Sequence, residues 1–272
     1  VRLIEAGEQL GGNHIWSFFD SDIAPEDRWL VEPLICHRWE GYDVAFPKHS
    51  RTLDAVYNSI RSPRLDAVVR SRIPLERIMR ATITADSAEE IALSDGRIVK
   101  PARIIDARGP GDVSTLDLGW QKFVGLEIHV PGGHGLSRPI IMDATVAQID
   151  GYRFVYCLPF DAETVFIEDT YYSNTPDLDV PAIRERIIAY ANAKGWQTNG
   201  GGHEETGVLP VVWGGDFDAY WSSTGQDAAK AGLRAGLFHA TTGYSLPDAV
   251  RLASRYATAL PDAVASREQA KA

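Results

Sequence analysis

The spacing of apolar residues changes along the chain, and the change divides it. Through the first hundred residues short apolar runs alternate with stretches of helical periodicity, the pattern of an α/β domain. Residues 1–5 predict a first strand. Ser62-Pro63 predicts a helix start, with Ser62 as N-cap and Pro63 at the first helical position, where its missing N–H costs nothing. Asp95-Gly96, between Ile91-Ala92-Leu93 and Arg97-Ile98-Val99, predicts a hairpin. Residues 103–105 predict a buried strand ending at Asp106, with Gly109 just beyond. From Gly119 the runs lengthen, at 123–130, 139–146, 152–158 and 164–171, and Gly, Pro and Asp turns separate them, which predicts an antiparallel sheet. Residues 181–194 have helical spacing closed by Gly195. A strand is expected at 203–212, then a strand at 234–238, a Gly loop, and a helix from Leu246 to about residue 260 with Ser245 as its cap. The expected organisation is a discontinuous α/β domain, 1–118 and 207–272, around a sheet domain at 119–206.

Composition narrows the class. With 272 residues and 44% hydrophobic content the chain can bury a substantial core. A formal net charge of -10 argues against nucleic acid as partner, because phosphate binding needs a basic surface. Cys36 and Cys157 stand far apart, with no metal-ligand spacing and no disulfide framework, which fits a reducing cytoplasm. No apolar run approaches the ~20 residues of a membrane span, so membrane contact would have to come through surface apolar residues. The chain opens at Val1 directly in a strand-like run, which reads as a start inside a domain.

Several segments carry candidate chemistry. Residues 1–7 have the form of the second strand of a dinucleotide-binding fold, whose terminal acid, here Glu5, can accept ribose hydroxyls; a simply solvated Glu is the alternative. In Leu10-Gly11-Gly12-Asn13-His14-Ile15-Trp16-Ser17-Phe18 two glycines let backbone approach a flat ligand, and the His and aromatics can line it; an ordinary aromatic loop reads equally well. Gly236 and Thr242-Gly243-Tyr244 precede a helix start, whose free N–H groups and dipole favour an anion, unless this is a plain turn. Glu168 and Asp169 are neighbours on a strand, so Glu168 shares a face with Phe166 and Thr170 while Asp169 points the other way with Ile167. A carboxyl among aromatics and away from water keeps its proton near neutral pH; two exposed acids at a strand end is the competing reading. Tyr152, Phe154 and Tyr156 share a face, either as core or as cation–π partners at ~0.5–2 kcal/mol per contact. Asp143 sits in apolar sequence, as a satisfied structural acid or as a pocket residue.

Together these segments, with Leu118-Gly119-Trp120-Gln121-Lys122-Phe123, the run 138–146, the run 150–160, Phe166-Ile167-Glu168-Asp169-Thr170-Tyr171-Tyr172 and the run 242–250, resemble the bacterial lycopene cyclase family in its order and over essentially the whole chain. The resemblance implies an FAD-binding Rossmann-like domain plus an antiparallel β-sheet substrate domain. It implies FAD kept reduced by NAD(P)H and returned unchanged each cycle, conversion of lycopene to beta-carotene through gamma-carotene, and peripheral contact with the inner face of the membrane. Glu168 and Asp169 match the two acids of the Phe-Leu-Glu-Glu-Thr motif of related plant cyclases, which implies that Glu168 protonates a terminal double bond of lycopene. Cofactor contacts are then expected from Glu5, Gly11, Gly12, Asn13, His14, Asp106, Gly109, Gly236, Thr242, Gly243 and Tyr244, and a substrate pocket from Asp143, Tyr152, Phe154 and Tyr156, with no metal. The family's Gly-rich phosphate turn and its C-terminal helical part fall outside this sequence, so near-zero turnover is expected of the isolated chain. Two alternatives stand beside this reading. A flavin monooxygenase usually carries Gly-Asp where Gly236-Leu237 stands here; a carotenoid-binding domain would have the pocket and no chemistry.

Overall fold

The alternating runs in the middle of the chain become one twisted seven-stranded sheet, and the smaller elements assemble around its faces and edges. The computed structural model describes residues 1–87, 89–198, 201–225, 229–237, 239 and 241–269, with side chains up to residue 258. In chain order the strands are β1 (Leu3–Glu5), β2 (Ile15–Phe19), β3 (Ile35–Trp39), β4 (Tyr42–Phe46), β5 (His49–Leu53), β6 (Tyr57–Arg61), β7 (Ile78–Arg80), β8 (Ile83–Asp86), β9 (Ile91–Leu93), β10 (Ile98–Val99) and β11 (Ile105–Asp106). The long strands follow: β12 (Leu116–His129), β13 (Ile140–Asp143), β14 (Arg153–Pro159), β15 (Thr164–Ser173) and β16 (Gly201–Gly215), then the short β17 (Ala229–Lys230). The helices are α1 (Arg28–Val31), α2 (Ser62–Arg72), α3 (Val180–Ala193), α4 (Phe217–Ser222) and α5 (Leu246–Gln269).

The large sheet has the order β16-β12-β15-β14-β13-β4-β5 and is antiparallel except where β13 runs parallel to β4. It therefore reaches beyond residues 119–206, since β4 and β5 come from the N-terminal part and β12 and β16 overrun both limits. Strand alternation gives it two different faces. On one, Val124, Val155, Cys157 and Ile167 pack against Ile183, Ile187 and Ala191 of α3. That helix starts where Asp179 accepts the Ala182 N–H at 3.1 Å, and it stops at Gly195, whose φ of +79° only glycine adopts cheaply. On the other face Ile141, Leu158 and Phe166 meet Tyr57 and the aromatics of a three-stranded sheet, β2-β6-β3. The far side of that small sheet carries Phe18 and Ile60, packed with Ile23, Val31 and Val250 of α5.

Two acids expected in the site turn out to belong to the α3 face. Asp169 is fully buried and pairs with Arg153, whose Nε lies 2.8 Å from Oδ1 and whose Nη2 lies 2.5 Å from Oδ2; Arg153 Nη1 also donates to the Ala147 carbonyl at 2.9 Å. Asp143 accepts from Thr145 at 2.5 Å and from Tyr190 at 2.7 Å, with Lys194 at 3.3 Å. Burial raises its carboxyl, but those hydrogen bonds and the Lys194 charge outweigh burial and hold it below the ordinary value. Asp143 is thus a satisfied structural acid.

Other expectations shift for local reasons. The Asp95-Gly96 hairpin forms, with Gly96 at φ +85°. Helix α2 does begin at Ser62, but the Ser62 hydroxyl does not cap it. That hydroxyl accepts the His14 N–H at 2.6 Å and lies 3.0 and 2.9 Å from the carbonyls of Gly11 and His14, so it ties down the 11–14 loop instead. The strand expected at 103–105 shrinks to Ile105–Asp106, paired with β17 in a two-residue ladder that leaves Ile105 47% exposed among the described residues. In place of a strand at 234–238 the chain makes a 3-10 turn, Gly232–Ala235, ended by Gly236 at φ +68°; Phe238 lies outside the described residues. Among the described residues no helix is long and apolar enough to cross a membrane.

The Arg153–Asp169 pair yields a direct expectation. Asp169→Ala leaves a buried guanidinium without its partner and should cost about 3–5 kcal/mol, read as a lowered urea midpoint at unchanged slope. Arg153→Met combined with Asp169→Leu should recover most of that loss.

Candidate functional site

Between the aromatic face of the large sheet and the small sheet lies a cavity of about 250 Å³. Phe123, Tyr156, Leu158 and Phe166 form its floor; Ile15, Trp16 and Tyr57 form the roof; Leu233, Gly243, Tyr244 and Leu246 close one end. The charged groups on its wall are Glu168, Glu205 and His14.

Glu168 reaches this cavity because β15 alternates, carrying Phe166, Glu168 and Thr170 to one face and Ile167 and Asp169 to the other. Its Oε1 accepts from the Thr170 hydroxyl at 2.6 Å. The residue is half-buried by surface, and the part that is open faces the cavity. Burial pushes its carboxyl up to about 8, helped by the negative charges of Glu205 and Asp169 and opposed by the Thr170 hydrogen bond. Glu168 therefore holds a proton at neutral pH.

Around it stand neutral phenols. The hydroxyls of Tyr156 and Tyr244 are 2.7 Å apart, and burial raises both, and Tyr57 with them, well above the ordinary tyrosine value. Glu205, only 4% exposed, is held on β16: Oε1 lies 2.9 Å from His14 Nδ1, and Oε2 accepts the Ile15 N–H at 3.0 Å. The hydrogen bond to Glu205 raises the His14 imidazole above its ordinary value, more than burial lowers it. Gln121 is buried on the same wall, and its Oε1 has no hydrogen-bond partner among the described residues.

Five residues marked by sequence thus line one cavity: His14, Tyr156, Glu168, Gly243 and Tyr244. Gly11 and Gly12, at φ +80° and +65°, shape the turn behind His14, where Asn13 Nδ2 donates to the Glu204 carbonyl at 2.7 Å. Thr242 lies next to the wall, its Oγ1 3.4 Å from the Tyr244 N–H. Phe154 is fully buried edge-on to Tyr156, at 5.2 Å between centroids, and supports the floor from outside the lining. Tyr152 is 42% exposed and points its hydroxyl at Met142 Sδ, away from the cavity. Gly236 backs onto Phe217. Asp143 and Asp169 lie on the opposite face of the sheet, as described above. Glu5 and Asp106 line a separate depression of about 990 Å³. There Glu5 accepts the Gly7 N–H at 2.8 Å, and Asp106 is engaged by Arg108 at 2.8 Å and Arg234 at 3.0 Å. Gly109, at φ +91°, follows Arg108 at the rim.

Sequence reasoning passed over Glu205, Gln121 and Tyr57. For Glu205 the signal was present: His203, Glu205, Gly207 and Leu209 are alternate residues of one strand, so an acid there shares a face with apolar neighbours. Gln121 and Tyr57 carry no such mark.

The family model described as lycopene cyclase protein matches residues 1–272. The chain belongs to the lycopene cyclase family. The lycopene beta-cyclase of Pseudescherichia vulneris is 43% identical over 257 residues, which is 94% of this chain and 66% of that protein. This lycopene cyclase chain spans about two thirds of the length of the curated bacterial relatives it matches. Among solved structures, a geranylgeranyl bacteriochlorophyll reductase-like protein from Thermoplasma acidophilum superposes at TM-score 0.68 with 13% identity, over 98% of this chain and 72% of that one. HpxO of Klebsiella pneumoniae, complexed with FAD, gives 0.60 with 10% identity, over 91% and 71%. The fold is therefore the mixed α/β architecture of those two structures, with a large, mostly antiparallel sheet.

The proton on Glu168 can be measured directly. A protonated-carboxyl infrared band is expected at pH 7, gone by about pH 9.5 and absent from Glu168→Gln. Because the folded value lies above the unfolded 4.5, the folded state loses stability relative to that variant as pH rises from 4.5 through about 8, and the gap is constant above. Paired thermal melts across that range check the sign.

Proposed function

We propose that this protein closes the ends of linear lycopene into beta rings, through gamma-carotene to beta-carotene, by acid-initiated carbocation cyclisation without net redox change. The observation that carries the reading is a carboxyl that keeps its proton to about pH 8 on the wall of an apolar, aromatic cavity. Ring closure of this kind needs an acid that is still protonated at neutral pH and a cavity that keeps water from the cation. Glu168 donates its proton to the terminal double bond, and a tertiary carbocation forms. The neighbouring double bond of the polyene attacks it, which closes a six-membered ring and moves the positive charge onto the ring. Loss of a ring proton then leaves the beta end group. Thr170 orients the Glu168 carboxyl through its 2.6 Å hydrogen bond. The rings of Phe123, Tyr156 and Phe166 offer cation–π stabilisation, and their bulk excludes the water that would capture the cation.

The residues present fit a flavin. Gln121 Oε1, buried without a partner among the described residues, calls for an N–H donor from a bound group. Gly243, at φ +68° on the cavity wall, lets backbone come close where a Cβ would intervene. Gln121, Gly243 and Tyr244 would hold the ring system, and His14 would stand beside it. Reduced FAD, maintained by NAD(P)H, would supply negative charge and an aromatic surface that stabilise a developing cation. Residues 1–118 with 207–272 would then form the cofactor side and 119–206 the substrate side, with Glu5, Asp106 and Gly109 near the nucleotide end. Exposed Trp29, Trp213 and Phe217 support peripheral membrane contact, where so apolar a substrate resides.

In the full-length protein expressed in lycopene-accumulating cells, Glu168→Gln should leave the red substrate in place, with cyclised product down at least ~100-fold at unchanged protein level. Wild-type turnover should fall as pH rises through about 8, as Glu168 loses its proton. Normal conversion by the variant would remove Glu168 from the mechanism.

A further inference from the structure

We propose that Glu205 is the base that takes the ring proton, and that His14 carries this proton from the cavity to solvent. The inference rests on the cyclisation reading above and assigns the step that reading leaves without a residue.

Sheet register brings the two carboxyls together. Gly125 on β12 stands opposite Glu168 on β15 and, on its other side, opposite Glu205 on β16. Residues directly across a ladder point to the same face, so both carboxyls rise from one row of the sheet, and both line the cavity. Two strand spacings separate them, on the order of 10 Å between α-carbons. Gly125 contributes no side chain between them; a Cβ there would meet the Phe166 ring at 2.0 Å. One six-membered ring fits in that span, with an acid at one end and a second carboxyl at the other.

Their surroundings suit opposite roles. Glu168 has one hydroxyl as its partner and is otherwise among apolar and aromatic groups. Glu205 is tied to the roof instead: Oε2 accepts the Ile15 N–H at 3.0 Å, and Oε1 lies 2.9 Å from His14 Nδ1. Each of its oxygens keeps a lone pair beyond those bonds. The exit route is built in: Glu205 is buried, and the His14 side chain bonded to it is 48% exposed. In the step itself, a C–H bond breaks at the ring carbon beside the cationic centre, and its electron pair becomes the ring double bond. The proton goes to Glu205; with His14 in the tautomer protonated at Nε2, Nδ1 accepts it across the 2.9 Å contact, and Nε2 releases its own proton to solvent. Glu168 regains a proton before the next turnover, so the sum is an isomerisation.

The test is product analysis in the full-length protein. Glu205→Gln keeps size and hydrogen bonding but cannot accept the proton. Lycopene should still be consumed, about 10–100-fold more slowly, and the products should shift from beta end groups to rings with the double bond elsewhere or carrying a hydroxyl from water. His14→Gln leaves Glu205 in place and should slow turnover about tenfold with beta product only. Beta rings alone at the parental rate from Glu205→Gln would overturn the proposal and give the deprotonation to Glu168 itself. Should Glu205→Gln fail to fold, the His14→Gln rate decides: slowed supports the relay, unchanged overturns it. Glu168→Gln, consuming nothing, separates the two carboxyls, and a parent that leaves lycopene untouched would sink the cyclase reading rather than this assignment.

Discussion

The pleat of β15 is the constraint on which the rest depends. Two adjacent acids cannot face the same way on a strand, so Glu168 and Asp169 are delivered to environments of opposite character. On the α3 side Asp169 meets Arg153 in a bidentate, fully buried pair, and the remaining Arg153 donor finds the Ala147 carbonyl. Such a pair is tolerable in the core only because its hydrogen bonds are satisfied. Across the sheet, Glu168 meets aromatic rings and one hydroxyl. Burial there raises its carboxyl to about 8, and no cation among the described residues pairs with it. The salt bridge also fixes the site indirectly. Arg153 and Asp169 sit on β14 and β15 two residues out of register, and the register they share sets Tyr156 directly opposite Glu168. A one-residue slip would exchange the faces, putting the paired acid in the cavity and the protonated one under α3.

A second consequence concerns how one small cavity gives two carboxyls different surroundings. Enzymes that run acid and base steps at one pH do so by giving chemically equal groups unequal surroundings. Here burial, helped by Glu205 nearby, raises the Glu168 carboxyl, while Glu205 is fastened to the Ile15 N–H and the His14 ring. Gly125 between them completes the arrangement. Any side chain there would displace Phe166, the ring that keeps the floor dry.

Much of this was legible in the residue pattern, and the limits have physical causes. The long strands, the Asp95-Gly96 turn, helix α3 and the opposite orientations of Glu168 and Asp169 all follow from period and turn chemistry, which are local. What local pattern could not give was which face would be the pocket. Asp143 reads as an acid in apolar sequence whether it meets a ligand or Tyr190 and Lys194. Tyr152, Phe154 and Tyr156 share a face, yet only Tyr156 lies far enough in to line the cavity. Short edge elements were misjudged where apolar content stood in for burial, as at Ile105. Ser62 was read as a cap because of its neighbour Pro63, when its hydroxyl is used by the distant 11–14 loop. Glu205 was missed because its role depends on a register shared with β12 and on His14, 191 residues away.

That separation in sequence explains why the cavity has the walls it has. Its floor is a continuous sheet, but the roof comes from residues near 15 and 57 and the end from residues near 244, segments that reach the sheet only through tertiary packing. Each is fastened at the site itself: Tyr244 by its hydroxyl to Tyr156, and His14 and Ile15 by Glu205. Behind them, Val250 of α5 packs against Phe18 and Ile60 on the outer side of the small sheet, so the helix that follows Tyr244 is anchored to the same roof. The polar contacts that define the candidate chemistry thus also hold the cavity's separate walls together. A group entering the cavity must fit beneath a roof fastened at Glu205 on one side and, through Tyr244, at Tyr156 on the other.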